Sequence, residues 1–288
     1  MIVVTGATGN VGRHLVRELA SAGERVTAVS RRLPGQLSAG EQPAGERPGN
    51  VEFQQADPAR PETLKRSFDG ADALYLLVAG DGEGLDPYAI LDTARAAGIR
   101  RVVLQSSQAT ATRPHSVAHA PLRSFEEAVR ESGLAWTVLR PSGFASNASM
   151  WAPSIRAERT VTAPFGDVGL PVVDPADIAA VAAACLRDGS HAGRTYELTG
   201  PAPVSPRRQA AAIGGALGLP VRFVEQSRAE ARELLLRFMP EPVVESTLGI
   251  LGEPTPEERR VSADVERVLG RAPRTFAQWA ADNVVAFR

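Results

Sequence analysis

The chain has 288 residues and a mass of 30.5 kDa, with 43% hydrophobic residues, enough to bury the core of one large domain or of a domain with an appendage. Its 32 basic and 33 acidic residues leave a formal charge of −1, which argues against a nucleic acid or a membrane surface as partner, since both demand a cationic surplus. The one cysteine, Cys185 in the apolar run "DIAAVAAACLRD", forms no internal disulfide and reads as a small buried hydrophobe in a cytoplasmic setting, and no apolar run approaches the ~20 residues of a spanning helix.

The first elements are "MIVVTG" and "RVTAVS", short apolar runs rich in β-branched residues. Between them "VGRHLVRELASAG" puts Val11, Leu15, Val16 and Leu19 on one helical face. The alternation continues through strand "VEFQQA", helix "PETLKRSFDG", strand "ADALYLLVA", helix "DPYAILDTARAAG", strand "RRVVLQSS", helix "APLRSFEEAVRESG" and strand "LAWTVLRP". Strands alternating with amphipathic helices predict a parallel sheet covered on both faces, because parallel neighbours need helical crossovers. Residues 33–49, dense in Gly, Pro, Ser and Glu, read as a mobile loop. Beyond residue 150 the sequence suggests helix "DIAAVAAACLRD", strand "RTYELTG", helix "SPRRQAAAIGGALG", strand "VRFVEQ" and helical runs to the end. The expected class is α/β, a doubly wound parallel sheet in residues 1–150 with a smaller, mainly helical part in 151–288 that completes a pocket. Strand 193–200 interleaves the two.

The stretch "VVTGATGNVGRHL" carries three glycines, Gly6, Gly9 and Gly12, after a strand and opening a helix. In that context Gly6 permits a tight turn, Gly9 lets backbone N–H groups approach a pyrophosphate, and Gly12 lets helix and strand pack closely. The helix amino end then faces the phosphates. The spacing lacks the lysine of a triphosphate-binding loop, so a dinucleotide is the expected ligand. About 20 residues past the turn, where a carboxylate would hold the ribose of NAD, the chain has Ser30, Arg31 and Arg32. Their charge and donors suit a 2′-phosphate, so NADP(H) is expected over NAD(H); the same arginines would equally serve as solvated surface. Asp57 in "FQQADPA" either accepts from an adenine amino group or caps the following helix.

Taken together, "TGATGNVG", "SRR", "QQAD", "VVLQSS", "SGLAWTVLRPSGFASN", "VVDPADIA", "YELTGP" and "GRAPRTFAQWAADN" resemble the NmrA-like group of atypical short-chain dehydrogenase/reductases over essentially the whole chain. The resemblance implies a Rossmann-type fold, NAD(P) on the glycine turn, and a nicotinamide and substrate cleft lined by "LRPSGF". It assigns cofactor contacts to Thr8, Asn10 and Val11, to Val78 and Ala79, and to Pro141 through Phe144. It places Ser107 at the superfamily's serine position and Ser106 nearer the nicotinamide; both equally suit a strand end that satisfies its own backbone. Asn147 and Trp151 are the polar candidates for the substrate pocket.

Typical members of that superfamily draw their proton from a Tyr-x-x-x-Lys pair. Here the tyrosines are Tyr75, Tyr88 and Tyr196, the one lysine is Lys65, and no such pair exists. His115 or His119, in "RPHSVAHAPLR", could replace the tyrosine, since an imidazolium titrates near neutrality, or both could be surface histidines. Asp174 and Asp177 read as turn and cap residues. The histidines His14, His115, His119 and His191 are scattered, so no metal site is expected. Two functions remain open: an NADPH-dependent ketone or quinone reductase, working on a fairly large, aromatic small molecule as a monomer or homodimer, and a non-catalytic NADP-sensing regulator. A sugar-nucleotide epimerase is disfavoured by the same missing pair.

Overall fold

The computed structural model describes residues 1–36, 48–78, 80, 82 and 84–288. The bulk of the expected loop, 37–47, lies outside the described residues. In chain order the first elements are β1 (Ile2–Thr5), α1 (Gly12–Ser21), β2 (Val26–Ser30), β3 (Val51–Gln55), α2 (Lys65–Phe68) and β4 (Ala73–Leu77). They are followed by α3 (Pro87–Ala96), β5 (Arg101–Gln105), α4 (Ala109–Thr112), α5 (Ala120–Glu131) and β6 (Ala135–Pro141). Then come α6 (Ala152–Glu158), β7 (Thr160–Ala163), α7 (Pro175–Arg187), β8 (Arg194–Leu198), α8 (Pro206–Leu217) and β9 (Arg222–Glu225). The chain closes with α9 (Arg228–Leu235), α10 (Glu241–Gly252), α11 (Pro256–Arg259), α12 (Asp264–Leu269) and α13 (Phe276–Asp282).

A seven-stranded sheet runs in the order β3-β2-β1-β4-β5-β6-β8, and the five neighbouring pairs from β3 to β6 are parallel. This is the doubly wound Rossmann-type α/β architecture. The order reverses between β1 and β4, and in open sheets of this kind the crevice beyond the carboxyl ends at that reversal is where ligands bind. The strands there are apolar on both faces because helices cover both: every residue of β1 and β2 is buried. On one side Val3, Leu74, Leu76, Val102 and Leu104 pack with Ile90, Leu91 and Ala94 of α3 and Phe125, Ala128 and Val129 of α5. Asp86 caps α3 by accepting from Ala89 N, with Pro87 at its first position.

By internal contact the chain forms two compact units, one of Met1–Thr110, His119–Arg140 and Ile178–Tyr196, the other of Ala111–Ala118, Pro141–Asp177 and Glu197–Arg288. The sequence suggests parts 1–150 and 151–288 interleaved through strand 193–200. The second unit has its own core of Ala148, Ile155, Val161, Ile213, Phe276, Trp279 and Phe287, with the Trp279 ring 5.2 Å from Phe276 and 6.2 Å from Phe287. Within it β7 pairs in parallel with β9. The sequence reading contains no counterpart of α6 or β7: "TVTA" is four residues long and follows a helix without a turn signal, too short for a period-2 pattern to register. Reciprocal caps start three later helices, at Ser227/Glu230, Thr255/Glu258 and Thr275/Gln278. Among the described residues no helix is long and apolar enough to cross a membrane.

Candidate functional site

The turn between β1 and α1 is built as its glycines require. Gly6 adopts φ +64°, and a Cβ there would lie 2.2 Å from Leu77 Cδ2, the last residue of β4. At Gly12 a Cβ would sit 2.1 Å from Gly6 O and 2.8 Å from Ala7 Cα. The loop therefore folds back on itself, pinned by Gly9 N donating to Gly6 O at 2.9 Å and Ala7 N to Val29 O at 3.0 Å. Val11 precedes α1 without supplying a side-chain cap, so the first-turn N–H groups meet no side chain of the protein's own cap position. Thr8 is half-buried, Val11 and Gly12 are buried, and Asn10 is exposed with its Oδ1 accepting from Arg13 Nη2 at 3.0 Å. A surface of bare main chain, a helix amino end and no acidic residue in its first turn fits a dinucleotide diphosphate.

At the end of β2, Ser30 is buried and its Oγ donates to Arg32 O at 2.6 Å, closing a turn that leaves Arg31 and Arg32 exposed. Gln55 Nε2, at the end of β3, donates to Arg31 O. Asp57 serves its own loop: Oδ1 accepts from Ala59 N at 3.1 Å and Oδ2 lies 3.7 Å from Arg60 Nε. Asp57 thus turns its own loop rather than capping the helical turn Pro61–Leu64 that follows, whose cap position is Arg60 with no side-chain bond. Val78 directly follows β4 and is buried; Ala79 lies outside the described residues.

The ends of β5 and β6 are joined by a buried carboxylate. Glu126 of α5, 3% exposed in its side chain, accepts from Ser106 Oγ at 2.6 Å, Thr110 Oγ1 at 2.8 Å, Arg140 Nε at 2.9 Å and Nη2 at 2.6 Å, and Arg130 Nη2 at 2.8 Å. Burial pushes its pKa up, but the hydrogen bonds from Arg140, Ser106 and Arg130 outweigh that and hold it at about 2. Ser106 N donates to Leu139 O at 2.8 Å. Ser107, half-buried, accepts from Ala109 N at 3.2 Å.

In the second unit, Pro141 ends β6 and Ser142 is tied by N to Leu198 O and by Oγ to Pro171 O. Phe144 bridges to Val173. Asn147 is exposed, and Trp151 is half-buried against the second core.

The NAD(P)H-binding family model matches residues 6–189 of this chain. A "(4-alkanoyl-5-oxo-2,5-dihydrofuran-3-yl)methyl phosphate reductase" of Streptomyces griseus is 37% identical over 289 residues, covering 100% of this chain and 99% of that protein. The chain belongs to the NAD(P)H-binding family. Its fold is shared with the NADPH complex of the quinone oxidoreductase QOR2 of Escherichia coli, at TM-score 0.78 and 22% identity over 98% of this chain and 99% of that one. It is also shared with NmrA, a negative transcriptional regulator, in complex with NADP, at TM-score 0.73 and 23% identity over 98% and 94%.

In this member of the NAD(P)H-binding family the tyrosines are engaged elsewhere. Tyr75 is fully buried, its hydroxyl donates to Gln105 Oε1, and burial drives its pKa well above the usual phenol range. Tyr88 bonds Glu131, and Tyr196 bonds His191 Nδ1 at 2.8 Å. His119 is half-buried at the position preceding α5, and His115 is exposed. Asp174 caps α7 by accepting from Ala176 N at 2.8 Å, and burial raises its pKa. Asp177 is more than a cap: fully buried, it takes Arg271 Nη2, Arg274 N and Arg274 Nη1 at 2.6–2.8 Å. Sequence reasoning missed Glu126 altogether. In "SFEEAVRE" it stands beside Phe125 in a run of charges, and of its partners only Arg130, four positions on, is visible in the local sequence.

Proposed function

We propose that the chain is an NADPH-dependent reductase of a ketone or quinone on a fairly large, aromatic substrate, working in the cytoplasm as a monomer or homodimer. The observation that carries this reading is the bare glycine turn at the strand-order reversal, where a Cβ at Gly12 would meet Gly6 O at 2.1 Å. The dinucleotide, when bound, supplies the hydride. Gly6, Gly9 and Gly12 shape the turn that receives its diphosphate, and Thr8, Asn10 and Val11 offer it main-chain donors; Ser30, Arg31 and Arg32 take the 2′-phosphate and so favour NADP(H) over NAD(H). Asp57, Val78, Ala79, Ser106, Pro141 and Phe144 complete the cofactor contacts, and Asn147 and Trp151 line the substrate pocket. Ser107 donates to the acceptor's oxygen and His119 supplies the proton.

Quinones and conjugated carbonyls suit such a site, because hydride addition to them leaves a delocalised phenolate or enolate that needs less help from a protein acid than a simple alkoxide does. The relative from Streptomyces griseus is named for a substrate that carries both an alkanoyl and an oxo group, in keeping with a carbonyl-activated acceptor.

The test is loss of nicotinamide absorbance when purified protein is mixed with NADPH and a panel of quinones and polycyclic ketones. Turnover with at least one acceptor is expected. Tight binding of NADPH without turnover across the panel would instead favour an NADP-binding regulator, the second reading, which is supported by the engagement of Tyr75, Tyr88 and Tyr196 in other contacts and by the fold shared with NmrA.

A further inference from the structure

The carboxyl ends of β5 and β6 meet at one hydroxyl, that of Ser106, which follows β5 directly. A serine Oγ has one proton and two lone pairs. Here the proton is given to Glu126 Oε1 at 2.6 Å, a charge-assisted contact of the short, strong kind. The carboxylate cannot give that place up, since Arg140, Arg130 and Thr110 fix it from three other directions. The backbone is fixed as well, because Ser106 N donates to Leu139 O. Ser106 is 5% exposed, and what its Oγ offers a ligand that reaches it is a pair of acceptor lobes. In sheet order β5 lies two strands from β1, roughly 10 Å along the carboxyl edge from the glycine turn at the usual strand spacing.

We propose that Ser106 accepts a hydrogen bond from the amino group of the nicotinamide carboxamide and that Glu126 is the positioning residue that keeps it an acceptor. This rests on the cofactor reading above and adds to it an orientation: a hydroxyl locked as an acceptor selects the –NH2 edge of the carboxamide over its carbonyl edge, and so selects one rotation of the amide. The buried ion pair then has a purpose besides stability, for which such pairs are weak evidence. It sets a hydrogen-bond polarity at the place where the ring is to be held.

The test separates the nicotinamide end of the ligand from the rest. Wild-type protein and S106A are titrated calorimetrically with NADPH and with 2′-phospho-ADP-ribose, which keeps the adenosine, the 2′-phosphate and the diphosphate and lacks the nicotinamide. S106A should bind NADPH about 5- to 10-fold more weakly, the value of one net hydrogen bond, and 2′-phospho-ADP-ribose as well as wild type does. Its thermal midpoint should stay within a few degrees, because Glu126 retains Thr110 and both arginines. Under the same titrations E126A, which removes the acceptor of the Ser106 proton, should show the same selective loss for NADPH, and E126Q, whose amide oxygen still takes that proton, should largely restore the affinity. Equal losses for both ligands, or no loss for either, would overturn the proposal. If wild type itself bound neither ligand, the cofactor reading would fail first and take this one with it, an outcome told apart by the wild-type titration alone.

Discussion

Gly12 is the position where one methyl group decides most. Its Cβ would lie 2.1 Å from Gly6 O and 2.8 Å from Ala7 Cα, both backbone atoms, so G12A must push the turn open rather than rotate a side chain away. We expect about 1–3 kcal/mol of lost stability by chemical denaturation and a loss of NADPH affinity of at least about 10-fold by calorimetry, since the displaced N–H groups are the ones proposed to meet the diphosphate. Glu126 gives a pH signature. Its folded pKa is about 2 against an ordinary 4.5, so the ionised carboxylate favours the folded state. That contribution is complete above about pH 4.5 and disappears as pH falls through about 2, amounting to about 3 kcal/mol at 1.36 kcal/mol per unit. Denaturation of wild type should therefore steepen over that acid window. In E126Q, which leaves Arg130 and Arg140 beside a neutral amide, this part of the slope should vanish, and stability at neutral pH should fall by about 3–5 kcal/mol.

At the level of elements, the strands and crossover helices of the sheet could be read from the chain because each satisfies its local rule. "IVVT" and "VTAVS" are buried on both faces as parallel-sheet strands must be, and Asp86-Pro87 is a helix start in its own right. The elements that escaped depend on partners far away. β7 exists because β9, some 60 residues later, pairs with it in parallel, and nothing inside "TVTA" announces that. Asp177 was legible as a helix-end residue, yet its partners Arg271 and Arg274 stand 94 and 97 positions away. Those bonds hold the segment that leads into α13, whose Phe276 and Trp279 fill the second core. D177N should accordingly lower the stability of that unit by about 3–5 kcal/mol, seen in denaturation followed by tryptophan fluorescence in a W136F background that leaves Trp151 and Trp279 of that unit, while the NADPH titration changes little.

For the whole molecule, the cofactor class was legible because it rests on a short contiguous stretch, residues 3–15, whose chemistry is main-chain chemistry, and the family because its segments follow in order along essentially the whole chain. The residues proposed for catalysis were not. Ser107 and His119 come from segments whose side chains serve either a backbone or a substrate, and only a bound acceptor distinguishes the two. The core offers a simple check on integrity: Cys185 is fully buried and burial pushes its thiol pKa up to about 12. Native protein at neutral pH should thus resist a thiol-reactive chromophore, and one equivalent should react once the chain is unfolded; rapid labelling of the native protein would contradict the burial of Cys185.

Function in this chain requires that main-chain donors of the first crossover grip a nicotinamide dinucleotide while Arg31 and Arg32 choose its phosphorylated form. Calorimetric titration of the intact protein with NADPH and with NADH, repeated on the R31A/R32A double variant, addresses this directly. The predicted result is wild-type binding about 10- to 100-fold tighter for NADPH, as expected for two lost charge-assisted contacts, with the two ligands near parity in the double variant through loss of NADPH affinity alone. Equal wild-type affinities, or a preference that survives removal of both arginines, would contradict it.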